Sequence, residues 1–206
     1  MPSMKKYLIA VLALALSTAF AQSPKRADAD NSNMNAEIFY GVLLAELARI
    51  DGQAGEAMNI YLQIARKTPT DQLFERATRL PLEARDGDTA RNITLEWIRL
   101  LPASALAQNY LFQINYAQRQ YANALPPLQR FLELTQEGNR ADVIIGLTSY
   151  FSQIPDRQSS TNELIKILAP YVSGAVSAPA TKSAARITIA RSQLNAARYN
   201  LSLIHI

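Results

Sequence analysis

The chain has 206 residues, no Cys and a single His, with 21 basic residues against 17 acidic ones. Without Cys a secreted chain has no disulfide framework, so burial alone must hold it together. Without Lys5 and Lys6 the balance falls to 19 against 17, a net charge of +2, and the basic residues are dispersed among acids. That pattern argues against a nucleic-acid surface, which needs a patch or stripe of Lys and Arg.

Met1 to Ala21 reads as a secretory signal peptide. Lys5 and Lys6 form its charged start, Tyr7 to Leu16 its apolar core, and Ala19-Phe20-Ala21 a small-x-small cleavage site. The core is too short to span ~30 Å of hydrocarbon, and Ser17 and Thr18 break it, so the mature chain has no membrane span. No Cys follows for a lipid anchor. The mature chain is therefore expected to be exported. Residues 22–35 are polar and read as a flexible leader.

Helical periodicity begins near Ala36, where Phe39, Val42, Leu43, Leu44, Leu47 and Ile50 predict a broad apolar face. Asp51-Gly52 predicts its end, because glycine accepts the left-handed conformation at a helix C-terminus. The next stretch, Gln53 to Pro69, places Ala57, Ile60, Tyr61, Ile64 and Ala65 at i, i+3, i+4, i+7 and i+8. This row recurs at Ala90, Ile93, Thr94, Trp97 and Ile98, and again at Ala124, Pro127, Leu128, Phe131 and Leu132. Its first members lie 33 and then 34 residues apart. A fixed period in the low thirties indicates a repeat array.

The second hairpin is expected over Asp71 to Leu101. Pro81 should kink or end its first helix early, and Asp88 is the expected N-cap of its second. The third begins after Pro102 with Ser104 as a cap, and its second helix starts near Tyr121. Pro126 and Pro127 are read as falling early in that helix, where a missing N–H is least costly. A looser fourth unit pairs a helix over 141–154 with one over 161–168. Residues 171–179 follow as a small-residue connector, and a fifth helix runs from about Ala180 to Arg198. Arg198-Tyr199-Asn200 resembles the third turn, Gln120-Tyr121-Ala122, so a partner helix is expected to begin there. Leu201 to Ile206, LSLIHI, matches the translation of a transposon-end sequencing adaptor and reads as library sequence, with the native chain cut near Asn200. The organisation is thus 1–21 signal, 22–35 leader, 36–200 helical repeat domain and 201–206 adaptor tail.

The small residues Ala57, Ala90 and Ala124 mark where the second helix of each hairpin crosses the first, with axes ~8–10 Å apart. Bulky Tyr61, Ile64, Trp97, Leu128 and Phe131 then fill the space between hairpins. The last helix of a cut array is expected to leave an apolar face open.

The pattern resembles the tetratricopeptide (TPR) repeat. Leu44-Ala45, Ala57, Tyr61 and Pro69 match its unit best. Ala90 and Pro102 carry the second unit, with Thr94 in place of the aromatic, and Tyr121 and Ala124 the third, with Gln136 where Pro is usual. LLAELARIDGQAGEAMNIYLQIARKT also resembles the first repeat of long TPR proteins of the Gram-negative envelope, some of which act as adaptors for periplasmic proteases. The resemblance implies an all-α, right-handed α-solenoid of antiparallel helix hairpins, about four hairpins plus one unpaired helix. With the signal peptide it implies a location in the bacterial periplasm, and it implies a groove lined by the first helices. Matching register places Glu46, Arg49 and Ile50 of unit one there, Arg79 and Glu83 of unit two, and Asn109, Gln113 and Tyr116 of unit three.

The native part holds neither His nor Cys, so a Ser-His-Asp arrangement, a Cys nucleophile and the usual zinc ligands are absent from it. Asp86 with Asp88 reads as a turn and cap, and Gly52 with Gly55 as turn residues. The expected function is a non-enzymatic scaffold or adaptor, without cofactor or metal, that binds proteins or peptides of the cell envelope. The alternative is the amino-terminal docking domain of a larger enzyme or export component.

Overall fold

The structure is a computed structural model and describes residues 36–174 and 177–204. The expected signal peptide and leader lie outside the described residues, as do the last two residues of the LSLIHI tail. The regular elements among the described residues are all helices: α1 (Ala36–Ile50), α2 (Ala54–Lys67), α3 (Asp71–Glu83), α4 (Gly87–Leu100), α5 (Ala105–Ala117), α6 (Tyr121–Leu134), α7 (Glu137–Phe151), α8 (Arg157–Ser173) and α9 (Pro179–Ile204).

By its contacts the chain divides into two units, Met1–Tyr40 and Gly41–Ile206. The described part of the first is the opening of α1, where Phe39 and Tyr40 are exposed. The second unit holds the hairpins. Its cores form two clusters, one running from Ala45 to Ala107 and one from Phe112 to Ala185.

Ala57, Ala90 and Ala124 are all buried, in agreement with the close crossing that their size permits. Gly41 serves the same end in α1: a Cβ there would lie 2.6 Å from Ile64 Cδ1. Thr78 and Thr94, polar but fully buried, return their hydroxyls to the carbonyls of Phe74 and Ala90 within their own helices.

The first helix corrects one expectation. Its buried side in the second unit is Ala45 and Ala48, while Leu43, Leu44, Leu47 and Ile50 are exposed, Ile50 to 71%. The large residues mark the outer side, because only small ones fit where α1 meets α2.

Hairpins one to three close with the same turn. Gln53, Asp86 and Gln120 donate their N–H groups to the carbonyls of Ala48, Pro81 and Asn115, each at 2.8 Å. Inside each loop Gly52, Arg85 and Arg119 donate to Arg49, Leu82 and Tyr116. These are the paired bonds of a Schellman motif, which needs a left-handed residue. Gly52 (φ 78°), Arg85 and Arg119 (both φ 60°) supply it, 33 and 34 residues apart like the alanines. A left-handed conformation costs a non-glycine residue about 1–2 kcal/mol. Arg85→Gly and Arg119→Gly are therefore each expected to stabilise the fold by roughly 0.5–1 kcal/mol, raising Tm by about 1–4 °C. Thermal denaturation of the single and double variants checks this; a fall in Tm would contradict it.

Ser104 caps α5, accepting from the Ala107 N–H at 3.0 Å, as expected. The cap of α4 is Asp86 rather than Asp88, because Arg85 already completes the turn: Asp86 Oδ1 accepts from the Thr89 N–H at 3.0 Å. Helix α3 runs on through Pro81 to Glu83, and Pro81 lends its carbonyl to the turn. Pro126 and Pro127 lie in the second turn of α6, not at its start. Pro127 therefore deprives the Asn123 carbonyl of its helical donor. The side chain of buried Asn115 replaces it, with Nδ2 donating to that carbonyl at 2.9 Å, while its Oδ1 accepts from Arg91 Nε at 3.0 Å.

The last part departs most from expectation. Helix α7 begins at Glu137 and ends at Phe151, and α8 extends from Arg157 through Tyr171 to Ser173, which shortens the expected connector. The two barely touch; α9 packs against both, so it is not an unpaired helix but the centre of a three-helix unit. Thr188 donates to the Ile144 carbonyl at 3.1 Å, and the hydroxyls of Thr161 and Ser192 lie 2.8 Å apart. Helix α9 continues through residues 198–200 to Ile204, so the turn expected there is absent. No Gly or Pro follows Pro179 to break it. Its Ile187 and Leu194 are exposed.

Candidate functional site: a charged cleft between the first two hairpins

Helices α1, α2 and α3 enclose a cleft of about 720 Å³. Helix α3 turns Gln72, Arg76, Arg79 and Glu83 to solvent at i, i+4, i+7 and i+11, the spacing of one helical face. Its other side, with Leu73, Phe74, Ala77 and Leu80, is buried, which fixes the polar stripe in place. Helix α1 contributes Glu46 and Arg49, and α2 contributes Tyr61.

Glu46 is the centre. Its carboxylate accepts from the Tyr61 hydroxyl, from Arg76 Nη1 and, at 2.9 Å, from Arg49 Nε. Arg76 also sits 5.9 Å from the Tyr61 ring centroid. The Tyr61 hydrogen bond, then Arg49 and Arg76, hold the Glu46 carboxyl below its ordinary value against the opposing effect of burial. Tyr61 is pushed up by burial first and by the Glu46 bond second. Next to Arg76 on α3, Glu75 accepts from the Tyr110 hydroxyl at 3.0 Å. Burial and then that bond push Tyr110 up to about 12. Arg79 and Glu83 make a looser pair at 3.9 Å with both side chains more than 60% exposed, and are the charges most free to engage a ligand.

A carboxyl held low contributes stability that is fully present above its ordinary value of 4.5 and lost as pH falls through its folded value. Glu46→Gln removes that contribution. The Tm difference between the wild type and this variant is therefore expected to be larger at pH 7 than at pH 3, and an unchanged difference would contradict the network.

Of the sequence-predicted groove residues, the cleft brings together Glu46, Arg49, Arg79 and Glu83. Ile50 is exposed at the end of α1 and is not part of its lining. Asn109 and Gln113 lie on α5 and bond to each other at 3.0 Å. Tyr116 is half-buried among Phe112, Tyr121 and Tyr150, and donates its hydroxyl to the Tyr150 carbonyl at 2.6 Å. Register reasoning misses Tyr61, Arg76 and Glu75. Arg76 stands three residues before Arg79 on the same face, a spacing that could have found it. Tyr61 reads from the sequence as a core residue alone; its ring is buried there, but its hydroxyl reaches Glu46.

Among the described residues no group of three or more His, Cys, Asp or Glu is placed to hold a metal ion, and no helix is long and apolar enough to cross a membrane.

Three hairpins with one turn geometry, a 33–34-residue period and small residues at each crossing define an all-α solenoid of the TPR-like kind. No protein-family model matches the chain, and no curated protein does. Among solved structures it is similar to the nearly identical TPR-like repeats of a Podosopora anserina protein assigned as a kinesin light chain, in a single-substitution form. That match has 15% identity and a TM-score of 0.47, and covers 82% of this chain and 92% of the other. It is also similar to MamA, with 14% identity and a TM-score of 0.45 over 81% of this chain and 98% of MamA.

Proposed function

We propose that this protein is a non-enzymatic scaffold of the bacterial cell envelope, exported through its amino-terminal signal peptide, that docks a segment of a partner protein in the cleft between its first two hairpins. The observation that carries the reading is the cleft itself. Two separate hairpins line one concave space with polar and charged side chains, and Glu46 is held by Tyr61, Arg49 and Arg76 so that the lining is ordered before a partner arrives. Pre-ordering reduces the entropy that binding must overcome. The open ends, Arg79 and Glu83, offer one cation and one anion to an extended or helical peptide. In this reading the docked partner belongs to an envelope protease or assembly machine, for which the chain serves as adaptor.

The test is affinity capture from envelope extract by the mature chain and by Arg79→Glu/Glu83→Arg. The swap keeps an internal ion pair and reverses the charges shown to a partner. A protein species retained by the wild type and lost with the swapped chain is the expected result. Identical sets captured by both chains would overturn the assignment of docking to this cleft.

A further inference from the structure

A second cleft, of about 480 Å³, opens where the regular array gives way to the three-helix unit. Helices α6 and α7 follow one another in the chain but meet at few points. At the C-terminal end of α6 Arg140 closes the gap, donating to the carbonyls of Leu132 (2.9 Å) and Thr135 (2.6 Å) and pairing with Glu137. At the other end, the start of α6 faces the end of α7 and the turn into α8, and there the gap stays open.

The cleft is built in two tiers. Buried Phe151 and Ile154 make the floor, and half-buried Leu125 and Tyr121 stand beside them. Around them the charged lining is acidic only, Asp156 and Glu163. Asp156 uses Oδ1 to cap α8, accepting from the Ser159 N–H at 3.0 Å, and Glu163 gives Oε1 to Lys166 at 2.7 Å. Among the described residues the second oxygen of each carboxylate has no hydrogen-bond donor. The Tyr121 ring packs edge-on against Tyr116, centroids 5.5 Å apart, and its hydroxyl has no partner among the described residues. An apolar floor asks for a large aliphatic or aromatic side chain. The unfilled acceptors and the aromatic ring beside them ask for a cation. The volume lies in the range of small-ligand pockets, room for two or three side chains.

We propose that this cleft is a second peptide-binding site, separate from the charged cleft of the first hairpins, which takes a large apolar residue flanked by Lys or Arg. The occupant's apolar side chain reaches Phe151 and Ile154, while its cation lies between Asp156, Glu163 and the Tyr121 ring. A partner gripped at both clefts would be held at two points along the array, so weak contacts would sum to firm retention.

Fluorescence anisotropy with labelled pentapeptides tests the site. The probes are Gly-Arg-Phe-Arg-Gly, its acidic counterpart Gly-Glu-Phe-Glu-Gly, and Gly-Arg-Ala-Arg-Gly, which lacks the anchor. The first is expected to bind saturably below about 1 mM and at least roughly tenfold more tightly than the other two. Ala122→Arg places bulk and positive charge at an exposed position of the rim, and is expected to abolish that binding with the helical spectrum intact. Glu163→Gln is expected to weaken it several-fold, whereas Gln129→Ala, at an exposed position of α6 outside both clefts, leaves it unchanged. Equal affinity for the three peptides, no saturable binding of the first, or binding indifferent to Ala122→Arg would each overturn the site.

Discussion

Trp97→Ala is expected to cost about 4 kcal/mol of stability, among the largest single-residue effects in this fold. The indole is fully buried on α4 and joins three helices. It stacks on Phe74 of α3 with centroids 6.0 Å apart and planes within 11°, and it meets Tyr110 of α5 at 5.6 Å. Its Nε1–H donates to Asp71 Oδ1, at the start of α3, at 2.9 Å. Truncation removes the aromatic contacts, leaves a cavity and strands the Asp71 carboxylate. With about 2–4 °C of Tm per kcal/mol for a chain of this size, the melting point should fall by roughly 8–16 °C. Trp97→Phe keeps most of the packing and loses the hydrogen bond, so its loss should be less than half as large. Thermal melts followed by circular dichroism separate the two. A fall of only a few degrees for the alanine variant would contradict the role given to the indole. Trp97 also bears on the charged cleft, since Tyr110, which it positions, holds Glu75.

Asn115→Ala is expected to cost about 2–3 kcal/mol, because it leaves the Asn123 carbonyl without a donor and Arg91 without its acceptor. The distinctive part of this prediction is its coupling to Pro127. If the Asn115 amide exists to serve the carbonyl that Pro127 cannot, Pro127→Ala restores the helical N–H donor and makes the amide dispensable. In the Pro127→Ala background, Asn115→Ala should then cost about 1–2 kcal/mol less than in the wild type. Denaturant unfolding of the four proteins yields the coupling directly. Strict additivity would show that Asn115 and Pro127 act independently.

What is legible in the sequence divides along physical lines. The period of the array, the alanines at the helix crossings and the Ser104 cap follow from spacing and from short-range chemistry, and a linear reading finds them. Arg85 and Arg119 do not announce their left-handed turns, because packing of the second helix imposes that conformation on whichever residue stands there. The outward side of α1 escapes the sequence for a related reason. Periodicity identifies an apolar stripe but not which stripe faces the neighbour, and in α1 the close crossing selects Ala45 and Ala48 over the leucines. The Tyr61–Glu46–Arg76 network and the Arg91–Asn115–Asn123 chain join residues 8 to 30 positions apart and leave no periodic trace. The same holds for α9. A helix from about Ala180 is legible, but that it sits against both α7 and α8 depends on how little those two helices meet.

The central claim is that the cleft between the first two hairpins holds a partner protein, and site-specific photocrosslinking tests it most directly. A photoreactive residue replaces Arg79 in the cleft in one chain, and exposed Gln129 on α6 in another, each expressed as the full 206-residue chain. Light should yield a defined protein adduct from position 79 and none from position 129, and Glu83→Arg in the same chain should abolish it. The same adducts from both positions, or none from position 79 while the chain is folded and exported, would contradict the account.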